Sequence, residues 1–220
     1  MFRSVTKKGG YEVSGDLPGA TMRLLENAGS APVVLWAPGA EGDQLPLFKS
    51  QQRAVGNLPA VDQGAAGWGV LDVQAQRLAQ AVNDVPVHMR PAKRDTIIAA
   101  DTGTVACPGQ TWPYDLATNS FGRPPVPQAD VTIPLTWLRI DDFVLAGIGG
   151  DLGSMIGSKV RNAMPQANSM VMTLTAGQVG YILPDEAYAK PGHGIYASHL
   201  KPGCAAPALV SAFRKFGGGK

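Results

Sequence analysis

The stretch from Ile140 to Tyr188 constrains this chain more than any other. Phe143 to Ile148 is a short apolar run bounded by turn residues, which predicts a strand. It runs into a tight loop, Gly147-Ile148-Gly149-Gly150-Asp151-Leu152. Leu152 to Met164 predicts a helix with Leu152, Met155, Ile156, Val160 and Ala163 on its inward face. Met170 to Thr175 predicts another strand, and Gly180-Tyr181-Ile182 then brings back a phenol. A carboxylate at the end of a buried strand, met by a phenol from the next strand, is a sound way to begin an oxygen-rich metal site. Each residue also has a plainer reading: Asp151 as an N-cap of the helix, Tyr181 as a core-edge tyrosine with its hydroxyl at the surface. The glycines fit neither GxGxxG nor GxxxxGK[ST], so they make no phosphate cradle.

The remaining pattern predicts a mixed α/β sheet flanked by helices. Leu17 to Ala28 is helical by its apolar face, with Asp16 as a possible N-cap, and Val70 to Val82 is a second amphipathic helix. Ala31 to Ala37 is a continuous apolar run, as expected of a strand covered on both faces. Asp95 to Ala100 predicts a strand. Val131 to Ile140 and Phe143 to Ile148 pair as a hairpin about Asp141-Asp142. The segment from Cys107 to Gln128, rich in Pro, Gly, Asn and Thr, reads as a long surface loop. Ala205 to Phe216 is the closing helix.

With 220 residues, 45% of them hydrophobic, the chain can bury a core as one domain over residues 1–216, leaving 217–220 as a flexible tail. A net charge of +2, with basic clusters no longer than Thr6-Lys7-Lys8 and Lys93-Arg94, argues against a nucleic-acid partner. No apolar run is long enough to cross a membrane, and the first residues do not read as a signal peptide. Cys107 and Cys204 fit no zinc-ribbon spacing; two buried thiols and one disulfide are equal readings. His88, His193 and His199 form no helical ligand pair and read as solvated or structurally bonded histidines.

Four segments, in order, resemble the neutral/alkaline non-lysosomal ceramidase family: Val13-Ser14-Gly15-Asp16-Leu17-Pro18-Gly19, Gly39-Ala40-Glu41-Gly42-Asp43-Gln44-Leu45-Pro46, the Asp151 loop with Gly180-Tyr181-Ile182-Leu183-Pro184-Asp185-Glu186-Ala187-Tyr188, and His199-Leu200-Lys201-Pro202-Gly203. The resemblance implies the C-terminal portion of a catalytic domain whose N-terminal part is missing. It implies a zinc-dependent amidase that cleaves ceramide, a lipid substrate, to a fatty acid and sphingosine, impaired or inactive as this isolated chain. Asp151 stands where the family has a glutamate ligand to zinc, and Tyr181 at the family's tyrosine ligand and near the developing oxyanion. Aspartate is a methylene shorter, so its oxygen falls short by about 1.5 Å unless the backbone moves. Leu45 occupies the position of a serine implicated as nucleophile, and leucine cannot attack a carbonyl. Asp43 would orient a water or a helix end, or act as a turn acid bonded to amides. The two zinc histidines would fall at or before the first residue. The alternative is a non-catalytic remnant of the same fold that binds lipid or glycan. Oligomeric state and compartment stay open, although the family is usually exported.

Overall fold

Strand β3 (Ile98–Thr111), β6 (Val126–Ile140), β7 (Phe143–Ile148) and β9 (Asn168–Thr173) form a four-stranded mixed sheet in the order β3-β6-β7-β9. These elements belong to a computed structural model that describes residues 14–46, 48–49, 51–52, 54–85, 95–121, 124–166, 168–190 and 192–216. His88, the two basic clusters and the tail lie outside the described residues. The chain divides into two compact units, Met1–Trp36 with Pro46–Ala92, and Ala37–Leu45 with Lys93–Lys220.

In the first unit, helix α1 (Asp16–Asn27) and helix α2 (Gly67–Asp84) bury Ala20, Leu71 and Ala75 together, with Leu17, Leu24 and Trp68 packed around them. The buried Gln74 amide bonds both the N–H and the C=O of Phe48 at 3.2 Å, which satisfies a polar group taken out of water. Strands β1 (Gln51–Gln52) and β2 (Val61–Asp62) pair antiparallel. Asp16 opens α1 as its first residue, at φ 52°, with Gly15 at the N-cap. No strand forms across Ala31 to Ala37. Val33 and Leu35 are exposed and the Val34 N–H bonds the Glu26 side chain at 2.9 Å, so this run takes a side-chain partner where a strand takes a backbone one.

In the second unit, β6 and β7 form the hairpin that the alternation predicts, Ile140 facing Phe143 across Asp141-Asp142. Ile133, Leu135 and Trp137 alternate with more exposed neighbours on β6, and Val144, Ala146 and Ile148 stand on the same face of β7. That face buries against Ile156 and Val160 of helix α3 (Ser154–Ala163) and Leu209 and Phe213 of helix α5 (Ala205–Phe216). β7 and β9 run parallel, so the chain between them must cross over, and α3 makes that crossover. The predicted α3 starts late: Leu152 belongs to the short strand β8 (Asp151–Leu152), and Met155 points to solvent at 52% exposure.

The Cys107 to Gln128 surface loop is corrected at both ends. β3 and β6 stay paired as far as Thr111 facing Val126, with a bulge between Cys107 and Gly109 that absorbs Pro108. Between them, β4 (Tyr114–Asp115) and β5 (Ser120–Phe121) form a small hairpin, and Trp112 is buried. Cys107 and Cys204 form a disulfide with a Cα–Cα distance of 5.7 Å.

Candidate active site

The register of two short strands brings the candidate acid and phenol together. β8 pairs parallel with β10 (Tyr181–Ile182), Tyr181 facing Asp151 and Ile182 facing Leu152. The Asp151 N–H bonds Gly180 O at 3.0 Å and the Gly153 N–H bonds Ile182 O at 2.9 Å. Gly180 holds φ +84°, and a Cβ there would stand 2.6 Å from Ala197 O, so the turn that delivers Tyr181 depends on glycine. On its other side β8 meets the loop of residues 38–43, where Gly42 N–H bonds Leu152 O at 2.9 Å, and β9 holds the same loop through Thr173 N–H to Pro38 O at 3.0 Å.

This loop delivers a second carboxyl, on Glu41, that sequence reasoning did not single out. The Thr173 hydroxyl bonds Gly39 O at 2.9 Å and reaches Glu41 Oε1 at 3.3 Å. Burial raises the Glu41 carboxyl above its ordinary value, helped by its hydrogen bond to Asp151 and the charge of that group. Gln178 fixes Asp151 from the opposite direction, its amide donating to Asp151 Oδ2 at 2.7 Å while its Oε1 accepts from Gly180 N–H at 3.0 Å. Tyr181 is raised as well, first by burial and then by the charges of Asp151 and Glu41, so the phenol keeps its proton as a donor. The only sequence signal for Glu41 is its place in a glycine loop beside Asp43.

Asp43 lies at the start of α3. Ser154 N–H and Ser154 Oγ donate to its two carboxylate oxygens at 2.8 and 3.0 Å, which caps that helix from a distant segment. Burial pushes the Asp43 carboxyl up, but the hydrogen bonds from Gln44 and Ser154 outweigh it and leave the group lowered. Leu45, two residues on, is 72% exposed. His193 opens the four-residue helix α4 (His193–Tyr196), its ring edge-on to Tyr181 with centroids 5.9 Å apart. Asp151, Gln178, Tyr181 and His199, with Val131 and Val179, line an open recess of about 480 Å³.

Gly42 and Glu41 each yield a prediction. A Cβ on Gly42 would lie 2.7 Å from the carbonyl carbon of Asp151, where only backbone could give way. Gly42→Ala is therefore expected to destabilise by about 1–3 kcal/mol. A Cβ on Gly69, at an exposed position of α2, meets nothing within 4 Å, so Gly69→Ala is expected to stabilise by up to about 1 kcal/mol. Thermal melts of both variants check the pair. Glu41, raised in the folded state, favours folding while protonated and loses that contribution as pH rises through its folded value. Glu41→Gln is expected to raise the melting temperature at pH 7 and to converge with the parent protein in acid. An equal offset at both pH values would contradict the carboxyl pair.

No protein-family model matches this chain, and no curated protein matches it by sequence. The fold does have solved counterparts. Neutral ceramidase from Pseudomonas aeruginosa superposes with a TM-score of 0.59 at 13% identity, over 94% of this chain and 40% of that one. A ceramidase complexed with C2 gives 0.59 at 11% identity, over 94% and 41%. The chain has a ceramidase-like fold. It spans about 40% of the length of the ceramidases it matches. Among its described residues no three of His, Cys, Asp and Glu gather as a metal-holding group. Glu41, Asp151 and Tyr181 offer oxygen donors alone, whereas zinc sites draw on imidazole or thiolate in most cases, so these residues do not by themselves fit the zinc site that the resemblance implies.

Proposed function

We propose that this chain carries the acid side of a ceramidase-type amide hydrolase site, with an N-acyl lipid as substrate. The observation that supports the reading most is the β8–β10 register, which sets Tyr181 beside Asp151 within a ceramidase-like fold. A protonated Tyr181 hydroxyl would donate to the amide oxygen as it gains charge. Asp151, oriented by Gln178, would take a proton from the attacking water, and the Glu41 carboxyl would return one to the leaving amine as the C–N bond breaks. Asp43 would act through the helix it caps, as a positioning residue. The described residues do not by themselves make a zinc site, and no step of this reading passes through the metal.

Leu45 favours a second reading. At an exposed position where the family resemblance expects a nucleophile, an inert side chain fits a domain that binds the lipid without cleaving it. Fatty-acid release from a short-chain N-acylsphingosine, measured with and without added zinc, separates the two. Turnover that falls at least tenfold in Asp151→Asn supports the hydrolase. Retention of the lipid with no turnover supports the binding domain, and neither retention nor turnover refutes both.

A further inference from the structure

We propose that His199 is a ligand-contacting group of the Asp151–Tyr181 recess, where its imidazole meets a secondary amide carried by an amphiphile. The amide class rests on the hydrolase reading; the placement of His199 does not. His199 lines the same recess as Asp151, Gln178 and Tyr181. Its ring carbon Cδ2 lies 3.2 Å from the place a Cβ would take on Gly180, the residue before Tyr181.

The backbone on either side of His199 is fixed, yet its side chain is not used by the fold. Gln110 N–H bonds His199 O at 2.9 Å, and Lys201 N–H bonds Pro108 O at 2.9 Å. Leu200 is buried and bridges to Gly109, while Ser198 is fully buried and donates to Tyr181 O at 2.7 Å. Tyr188 ties the same segment down, its hydroxyl donating to Leu200 O at 3.0 Å. Between these anchors the imidazole is exposed and makes no side-chain hydrogen bond among the described residues. The anchored backbone fixes where the imidazole enters the recess and leaves the ring free to turn toward a ligand.

The chemistry of the wall matches the donors and acceptors of a secondary amide. Gln178 is engaged at both ends, by Asp151 and by Gly180 N–H. Of the polar side chains lining the recess, the Tyr181 hydroxyl and the His199 ring are the ones with no side-chain hydrogen bond among the described residues, and they stand beside the Asp151 carboxylate. A neutral imidazole has one N–H donor and one acceptor nitrogen, and a secondary amide has one acceptor oxygen and one N–H. Val131, Val179 and Ala197 give the apolar side of the recess, against which an alkyl chain can lie.

The test is a titration of the full chain, labelled uniformly with ¹⁵N and with ¹³C-histidine, with N-hexanoylsphingosine in detergent micelles, read by NMR and by calorimetry. His199→Gln assigns the resonance, and circular dichroism checks that the variant folds. We expect the His199 ring signal to move on binding, and His199→Gln to weaken affinity by about three- to tenfold, the size of one hydrogen bond. Binding that moves the Gly180 and Tyr181 amides but not the His199 ring, with unchanged affinity in His199→Gln and His199→Ala, overturns the proposal and leaves the hydrolase reading standing. Binding through His199 with no fatty acid released keeps the proposal and defeats the hydrolase. Absence of binding by the parent chain overturns the proposal together with its amide class.

Discussion

Replacing Cys107 and Cys204 together by serine is expected to destabilise the protein by about 2–5 kcal/mol, a fall in melting temperature on the order of 10 °C. The crosslink joins residues 97 apart, and closing so long a loop removes much of the freedom of the unfolded chain. In the chain-entropy view a loop of that length is worth about 4–5 kcal/mol. The effect has a local side as well. The disulfide sits beside the Gly109–Leu200 bridge and the paired bonds of Gln110 to His199 and Lys201 to Pro108. Loss of the crosslink is therefore expected to speed amide exchange at Gln110 and Lys201 more than in the β6–β7 hairpin. Melting curves with and without reductant, followed by hydrogen exchange, give both readouts. An unchanged melting temperature in reductant would show that the disulfide carries none of the stability assigned to it.

Phe213→Ala is expected to match or exceed that loss, at about 3–5 kcal/mol. Phe213 is fully buried on α5 and stands edge-on to Phe216 with ring centroids 5.9 Å apart. It belongs to the core that joins α3 and α5 to the sheet, together with Ile156, Val160 and Leu209. Truncation removes most of a phenyl ring from a close-packed interior and leaves a cavity that two helices and a sheet cannot close. The consequence reaches the site, because α3 is the helix that Asp43 caps. Chemical denaturation measures the loss, and a change below 1 kcal/mol would mean that α5 is not held by this core.

The hairpin of β6 and β7 and the closing helix were legible because their burial follows a simple period. Ile133, Leu135 and Trp137 alternate, and Leu209 and Phe213 are one helical turn apart. Proline and glycine misled where tertiary pairing overrode them. Pro108, Gly109 and Pro127 signal turns, yet the β3–β6 ladder runs through all three with one bulge. The apolar run at Val33 to Trp36 has strand composition, but composition cannot say whether a partner strand is within reach.

The site was legible in part. Asp151 and Tyr181 stand in motifs, at a strand end and after a glycine, so their types and order pointed to one place. Glu41 was not singled out because it lies 110 positions from Asp151 and is carried there by tertiary hydrogen bonds, from Gly42 to Leu152 and from Thr173 to Pro38 and Gly39. His199 gave no periodic or spacing signal; it reaches the recess through the buried Ser198 and Leu200 that flank it.

Binding of a short-chain N-acylsphingosine to the parent chain and to Asp151→Asn with Tyr181→Phe, measured side by side by calorimetry, tests the central claim most directly. The expected result is saturable binding by the parent chain, weakened at least tenfold in the double variant, while the melting temperature of the variant stays within a few degrees. Equal affinity in both proteins, or no binding by the parent chain, would contradict the assignment of this recess as the working site.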